Sequence, residues 1–437
     1  MSPRELAYKI LKNALSGATY SNIAIDNALK KNELSPADAG LLTAIVMGVT
    51  ERRLTLDYII DRLSSRPQEV DADTRILLQM GIYQVAYLDR IPEYAAVNET
   101  VSLSPRRSRG FVNAVMREYL RRKQKGTLSE LFPDEESDTV DFLSVYYSFP
   151  KDVCEKFLSI YGTERTKKIF EIFNRPPRLT LRINTLKISR EDFAKLLDEK
   201  EIKYTLSERL TNAIILENVS FASLPGFAEG YFFVQDEASQ VCVEALDAER
   251  GMLMIDACSC PGSKSFGSAI KMENEGKILS FDLHESKLKL IDKSAERLGI
   301  DIITATKRDG RELDESLVGQ ADRVLCDVPC SGLGVIAKKP EIRYKNLLDF
   351  ARLPEIQYAI LENCSKYVKK GGILVYSTCT VLPEENEINV KKFLAAHSEF
   401  SSVDFSAGDV KSERGMLSLS PDRHGTDGFF VAKFIKN

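Results

Sequence analysis

Apolar residues recur three and four positions apart through the first part of the chain, at 4–16, 37–62, 74–88 and 110–122. That spacing lays one apolar stripe on an α-helix. Few strand signals interrupt it, so an all-α domain is predicted over residues 1–135. The stretch 123–138, acidic and broken by Gly126 and Pro133, reads as a linker. Between 136 and 230 the pattern mixes. A helical run at 151–173 leads into PPRLTLRINTLK, where Leu179, Leu181 and Ile183 alternate with polar residues as in a strand. A helix at 190–200 and short strands around Tyr204 and 213–216 complete a small α+β module. From 231 to 437 strands and helices alternate: MLMIDAC, a helix after Gly262, KILSFDL, a helix at 287–298, DIITATKRD, DRVLCDVPC, a helix at 354–368, ILVYSTCT and a helix at 384–395. Such alternation predicts an α/β domain with a doubly wound parallel sheet and ligands at the carboxyl ends of its strands.

Composition narrows the class. At 437 residues two or three domains are expected, and 43% hydrophobic with 28% charged residues is the make-up of a soluble globular protein. No apolar run approaches the roughly 20 residues of a membrane span. The opening MSPRELAYKILKNAL is an amphipathic helix without a signal-peptide core, so a cytoplasmic protein is expected, with no membrane partner. Eight cysteines without dense spacing argue against a disulfide framework, and three scattered histidines against a zinc site; no metal is expected.

The net charge of −4 does not announce a nucleic acid, but local charge does. Arg106, Arg107, Arg109, Arg117, Arg121, Arg122, Lys123 and Lys125 face a single acid, Glu118, in that stretch. Such a stripe tracks phosphates, or is simply a solvated helix face; from the run alone the two readings weigh equally. No obligate protein partner is evident.

The segment Asp256-Ala-Cys-Ser-Cys-Pro-Gly-Ser-Lys264 follows an apolar strand directly. Small residues there let backbone N–H groups and a helix start approach an anionic group. Asp282 ends the next strand, where a carboxylate meets a ribose diol, and Asp309 follows the third. One such acid is as readily a helix cap, but three successive strand ends point to a nucleoside cofactor. The spacings of dinucleotide and triphosphate loops are absent. Lys264 suits a carboxylate, as in the methionine part of S-adenosylmethionine, with phosphate the competing partner.

Two cysteines close strands beside this turn: Asp327-Val-Pro-Cys330-Ser-Gly and Ser377-Thr-Cys379-Thr. A thiolate there can attack carbon 6 of a pyrimidine and make carbon 5 nucleophilic enough to take a methyl group. Addition puts negative charge on the ring, so an acid is needed near N3, and Asp327 suits it. Cys242, Cys326 and Cys364 read instead as inert core residues.

DACSCPGSK, Asp-x-Pro-Cys-Ser-Gly, Ser-Thr-Cys and the ending HGTDGFFVAKF resemble the RNA cytosine-5 methyltransferases of the NOL/NOP/Sun superfamily. RELAYKIL, LLTAIVMGVTERRLTLDYII, AAVNETVSL and FVNAVMR resemble the NusB antitermination domain, and PPRLTLRINTLK with FVQDEASQ the family's RNA-contacting module. The whole chain thus resembles the bacterial Sun-type enzyme of small-subunit (16S) ribosomal RNA. The resemblance implies a NusB-like RNA-binding domain, an α+β RNA-contacting module and a Rossmann-like methyltransferase domain. It implies that S-adenosyl-L-methionine is held by Cys258, Ser259, Cys260, Pro261, Gly262, Ser263, Lys264, Asp282, Asp309 and Asp327. It makes Cys379 the nucleophile and has Cys330 assist product release. RNA contacts are expected from Arg106, Arg107, Arg121, Arg122 and Arg182. Two positions depart from the family: Ser263 stands where a second glycine is usual, and Cys260 where alanine is usual. A side chain at 263 is expected to strain a left-handed backbone position or crowd the cofactor. The competing readings are the same chemistry on transfer or large-subunit RNA, and a non-enzymatic RNA scaffold, against which the cysteine pair counts.

Overall fold

The computed structural model describes residues 1–14, 21–217, 219 and 221–437; positions 15 and 16 of the predicted first helix lie outside them. The chain divides into two compact units, one of residues 1–175 with 336–347, the other of 176–335 with 348–437. Among the described residues no helix is long and apolar enough to cross a membrane.

The first unit is helical: α1 (Pro3–Ala14), α2 (Ser21–Lys31), α3 (Pro36–Glu51), α4 (Arg53–Leu63), α5 (Ala72–Tyr87), α6 (Glu93–Leu103), α7 (Arg109–Lys125), α8 (Thr139–Tyr147), α9 (Lys151–Tyr161) and α10 (Thr163–Phe173). Local chemistry sets the boundaries. Ser35 caps α3 by accepting from the Asp38 N–H, with Pro36 in the first turn, and Asp71 caps α5 through Thr74. The predicted helix 37–62 is two helices, because Arg52 leaves helical geometry and α4 turns off. The predicted run 151–173 likewise breaks at Gly162, whose φ of 71° is open to glycine. The predicted linker begins inside α7, which closes at left-handed Gly126, and then returns Leu131 to the helical core.

The segment 336–347 is a plug in this unit. Arg343, fully buried, donates to the Glu51 carbonyl (3.1 Å), the Ser148 carbonyl (3.4 Å) and Asn174 Oδ1 (2.8 Å), and its guanidinium lies 4.3 Å from the Phe149 ring centre. Those acceptors lie at the C-terminal ends of α3, α8 and α10, where helix dipoles are negative. Tyr344 adds a hydrogen bond to the same Glu51 carbonyl, 2.9 Å.

The second unit holds two sheets. The smaller, order β2-β3-β1-β4, is antiparallel and contains β1 (Leu179–Ile183), β2 (Tyr204–Leu206), β3 (Ala213–Leu216) and β4 (Phe232–Val234), with α11 (Arg190–Glu199) inserted after β1. Next come α12 (Glu237–Leu246), β5 (Leu253–Asp256), α13 (Ser263–Lys271), β6 (Lys277–Asp282), α14 (Glu285–Leu298), β7 (Ile303–Lys307), β8 (Ala321–Asp327), α15 (Leu353–Tyr367), β9 (Val368–Thr378) and α16 (Glu387–Ala396). The chain closes with β10 (Phe400–Ser402), β11 (Ser406–Ala407), β12 (Val410–Lys411), β13 (Met416–Leu419), α17 (Pro421–His424) and β14 (Phe429–Lys436). The large sheet runs β10-β14-β9-β8-β5-β6-β7, with β13 beside β14. Strands β9, β8, β5, β6 and β7 are parallel, as expected, but β14 is antiparallel to β9 and β10 and β13 to β14. The sheet is therefore mixed: no long crossover separates β13 from β14, so they pair as a hairpin does. Strand order reverses between β5 and β8, the place where open α/β sheets leave a crevice.

Replacing Arg343 by methionine keeps most of the volume and removes the donor shared by two helix-end carbonyls and the Asn174 side-chain oxygen. The variant is expected to lose about 3 kcal/mol of stability, read as an earlier urea transition in far-UV circular dichroism. A change below about 0.5 kcal/mol, the scale of an ordinary surface substitution, would mean that the plug does not hold the unit together.

Candidate active site

Four loops leave the carboxyl edge of the parallel strands. The first follows β5. Asp256 is buried and accepts from Ser265 Oγ (2.6 Å), while among the described residues its Oδ1 has no hydrogen-bond partner. Burial pushes its carboxyl up to about 7. Ser259 ties the loop to β6, its N–H and Oγ both donating to the Phe281 carbonyl at 2.8 and 3.2 Å. Cys258, Cys260 and Ser263 are half-buried and Pro261 is exposed. At Gly262 φ is +102°, and a Cβ would stand 2.4 Å from the Phe266 ring, so only glycine fits. The strain expected at Ser263 is absent: the left-handed position is Gly262, and Ser263 is the first residue of α13.

Lys264, one residue further, turns inward. Its Nζ donates to Asp327 Oδ2 (2.6 Å) at the end of β8 and lies 5.1 Å from the Phe429 ring centre. Burial works against its charge, yet Asp327 with the thiols of Cys242 and Cys379 holds it above its ordinary range. Asp327 Oδ1 accepts from Ser377 Oγ (2.8 Å), so β8 and β9 are joined by side chains as well as by register. The partner expected for Lys264 in a bound carboxylate is thus present within the chain.

The two further acids differ. Asp282 Oδ1 accepts from the His284 N–H (2.9 Å), and among the described residues Oδ2 has no partner. Asp309 is gripped by the Arg311 fork at 2.9 and 2.6 Å, which holds its carboxyl below the usual range. Both stand at adjacent strand ends, as predicted, but only Asp282 presents an open oxygen.

Cys330 and Cys379 face each other with their Sγ atoms 3.1 Å apart. The Cys379 N–H donates to Cys330 Sγ (3.2 Å), the Gly334 N–H donates to the Cys379 carbonyl (3.0 Å), and Ser331 Oγ meets Thr380 Oγ1 (2.6 Å). The Cys330 thiol is held well above its usual range by its contact with Cys379, by burial and by the Glu385 carboxylate. None of the eight cysteines is disulfide-bonded, and Cys242, Cys326 and Cys364 are core residues as expected.

Sequence reasoning missed Glu385 and Gln357. The helix predicted at 384–395 starts only at Glu387, and Pro383 to Asn386 turn inward instead. Glu385, 1% exposed, accepts from the Ser331 N–H (3.0 Å) and Gln357 Nε2 (2.6 Å), while Gln357 also donates to the Pro329 carbonyl (3.0 Å). The available signal was a proline and paired acids directly after Ser-Thr-Cys.

The basic stripe lies in the first unit. Val112, Val115, Met116 and Tyr119 face the core from α7, leaving Arg106, Arg107, Arg109, Arg117, Arg121, Lys123 and Lys125 exposed. Arg121 and Arg122 share Glu118 (2.7 and 2.9 Å), and Arg107 lies 3.7 Å from Asp71. Arg182 does not belong to such a face. It is 2% exposed, 3.4 Å from Glu244, with its guanidinium against Gly267. The polar face expected of β1 is covered by α12 and α13, so Arg182 is a paired interior cation and not a phosphate contact.

The family model described as 16S rRNA methyltransferase RsmB/F matches residues 243–435, the NusB family 1–121, and the RsmF/B-like ferredoxin-like domain 149–221. The chain is 36% identical over 448 residues to the Bacillus subtilis protein named probable ribosomal RNA small subunit methyltransferase B, covering 100% of this chain and 99% of that one. A protein of the same name from Synechocystis is 36% identical over 450 residues, with both chains covered in full. Among solved structures, PH0851 matches with a TM-score of 0.80 at 27% identity, over 100% of this chain and 99% of that one. A methyltransferase homologue from Pyrococcus horikoshii matches with 0.61 at 29% identity, over 68% and 99%.

Asp256 gives this site a pH signature. Its folded carboxyl titrates near 7 against an ordinary 3.8, so between those values the folded state binds the extra proton. Stability from this group is complete below about pH 4 and is lost as pH rises through about 7. Asp256→Asn, which keeps an acceptor for Ser265, should therefore gain on wild type by about 2–4 kcal/mol between pH 4 and 8. Urea unfolding of both proteins at the two pH values measures it, and a gap that does not change with pH would remove Asp256 as its source.

Proposed function

The chain belongs to the 16S rRNA methyltransferase RsmB/F family, and we propose that it methylates carbon 5 of a cytosine in small-subunit ribosomal RNA. In this reading S-adenosylmethionine is the donor and Cys379 the nucleophile, acting in the cytoplasm. The observation that carries it is the pair Cys330 and Cys379, 3.1 Å apart beside the Lys264–Asp327 ion pair.

The residues fit the donor. Asp282 offers a carboxylate oxygen for the ribose hydroxyls, and the glycine turn from Cys258 to Lys264 a close backbone approach for the methionine end. Asp309 and Asp327 flank it, and Asp256 holds a buried, unpartnered oxygen behind it. S-adenosylmethionine, when bound, supplies a methyl group on a sulfonium.

The chain's own residues do the rest. The Cys379 thiolate, in the field of the Lys264 ammonium, attacks carbon 6 and forms a carbon–sulfur bond. Negative charge moves into the ring, and Asp327 passes to N3 a proton drawn from the Lys264 ammonium that is hydrogen-bonded to it. Carbon 5 is then the nucleophile that takes the methyl group. Loss of the carbon 5 proton to a base restores the double bond and expels the Cys379 thiolate, with Cys330 assisting that release. Arg106, Arg107 and Arg121, exposed on the first unit, and half-buried Arg122 support phosphate tracking, Arg121 and Arg122 less so for sharing Glu118.

Asp282→Ala should weaken S-adenosylmethionine binding by about 1.5–3 kcal/mol in calorimetry, and unchanged affinity would take Asp282 out of the ribose role. The division between the thiols is read on a denaturing gel after incubation with ribosomal RNA and S-adenosylmethionine. Cys379→Ala should neither methylate nor form an adduct. Cys330→Ala should attack, methylate and remain trapped on the RNA. The opposite pattern would exchange the two roles, and no adduct with either variant would sink the covalent route.

A further inference from the structure

Two thiols 3.1 Å apart cannot both be anions at neutral pH, because like charges at that distance repel strongly. Something must decide which one keeps the proton. The backbone points the wrong way: the Cys379 N–H donates to Cys330 Sγ and would favour a thiolate on Cys330. The charged and titratable side chains reverse this. Glu385, Tyr376 and Cys379 act on Cys330, whereas the Lys264 ammonium, itself paired with Asp327, acts on Cys379. The full charge of a buried carboxylate outweighs one backbone dipole.

We propose that Glu385 is the positioning residue that assigns the two thiols their jobs, holding the proton on Cys330 so that Cys379 is the thiolate. This rests on the reading of Cys379 as nucleophile given above. Glu385 is 1% exposed and grips the turn of Cys330 from behind through the Ser331 N–H. Gln357 clamps the same carboxylate and, through the Pro329 carbonyl, the residue before Cys330. Tyr376 adds a hydrogen bond to the Glu385 carbonyl, 2.5 Å. Both donors land on Oε2, and the buried Oε1 has no partner. A glutamine would make the same two bonds through its amide oxygen without the desolvation cost of a charge. Bracing alone therefore does not call for a carboxylate, whereas a negative field on Cys330 does. The thiol that Glu385 keeps protonated then faces Cys379 as a hydrogen-bond donor, Cys330 S–H to the Cys379 thiolate.

The test needs neither RNA nor cofactor. Cys379→Ala and Cys330→Ala proteins, full-length, are alkylated with iodoacetamide over a range of pH, and the remaining site cysteine is followed by peptide mass spectrometry. With Glu385 intact, Cys330 should react with a midpoint at least about one pH unit above that of Cys379. Adding Glu385→Gln should bring the Cys330 midpoint down by about one unit and leave that of Cys379 in place, and Glu385→Asp should restore most of the difference. Equal midpoints with Glu385 intact overturn the proposal even if Glu385→Gln does not fold. A Glu385→Gln shift that falls on both thiols alike, or on neither, overturns it as well. Ordered midpoints without any RNA adduct would keep the role of Glu385 and remove only the chemistry proposed for Cys379.

Discussion

A buried ammonium must have a counter-charge, and the pairing of Lys264 with Asp327 is the constraint on which the candidate crevice turns. Lys264 sits one residue into the helix that follows the glycine turn, and Asp327 ends the strand on the other side of the topological switch. Their contact therefore ties the glycine turn to the cysteine loops. Asp327 stands three residues before Cys330, and its other oxygen takes Ser377, two residues before Cys379. One carboxylate sets the glycine turn, both thiol loops and the β8–β9 register relative to each other. Burial, with a smaller push from the same negative charge, keeps Asp256 from ionising easily behind the turn.

The helices of the first unit, the five parallel strands and the crevice at their ends were legible in the sequence because they are written in short-range pattern, whereas β10–β14 were not read. Periodicity marked the helices of the first unit, and alternation marked the strands whose carboxyl ends carry Asp256, Asp282, Asp309, Asp327 and Cys379. Topology then brings those residues to one edge without further information. What the pattern does not report is which second layer covers a polar face. Arg182 alternates like an outward residue, yet α12 and α13 close over it and Glu244 becomes its partner. Glu385 reads as the solvated start of a helix, yet the turn at Pro383 folds it under Cys330. Residues 336–347 carry no periodicity that assigns them to a helical unit hundreds of positions away in the chain; only the tertiary structure gathers three helix ends around Arg343. Breaks at Arg52 and Gly162 were missed for a related reason, since the apolar stripe continues across each.

Interior cations in this chain share one solution by different means. Arg343 is neutralised by the carbonyls of helix C-termini, Lys264 by a single carboxylate, and Arg182 by Glu244 with an amide neighbour, Gln235. The differences matter for function. A guanidinium spread over several carbonyls has no proton to exchange, so Arg343 serves as a structural pin. An ammonium bonded to one carboxylate shares a movable proton, which is what the proposed chemistry at a pyrimidine nitrogen requires. The cations of α7 are unlike all three. Their ion pairs, such as Arg121 with Glu118 and Lys123 with Glu93, lie at the surface, so phosphates can compete for them at little cost.

The thiol pair makes a stricter demand than either cysteine would alone. In the proposed reaction, attack needs an anion at Cys379, and expulsion of the product must return that anion to the same atom. If Cys330 lost its proton first, the site would begin with its charge on the wrong sulfur, and bringing the two sulfurs to 3.1 Å would strengthen that error, because a thiolate there would be stabilised by the Cys379 thiol. A close pair thus works only in an asymmetric field. The loops supply one: an ammonium on the Cys379 side, and a carboxylate under the Cys330 turn that opposes the backbone N–H donated to its sulfur. The asymmetry comes from residues outside both cysteine motifs, Lys264 in the cofactor turn and Glu385 in the loop after β9. That is why the motifs alone leave the order of the thiols open, and why family resemblance had to supply it from the sequence.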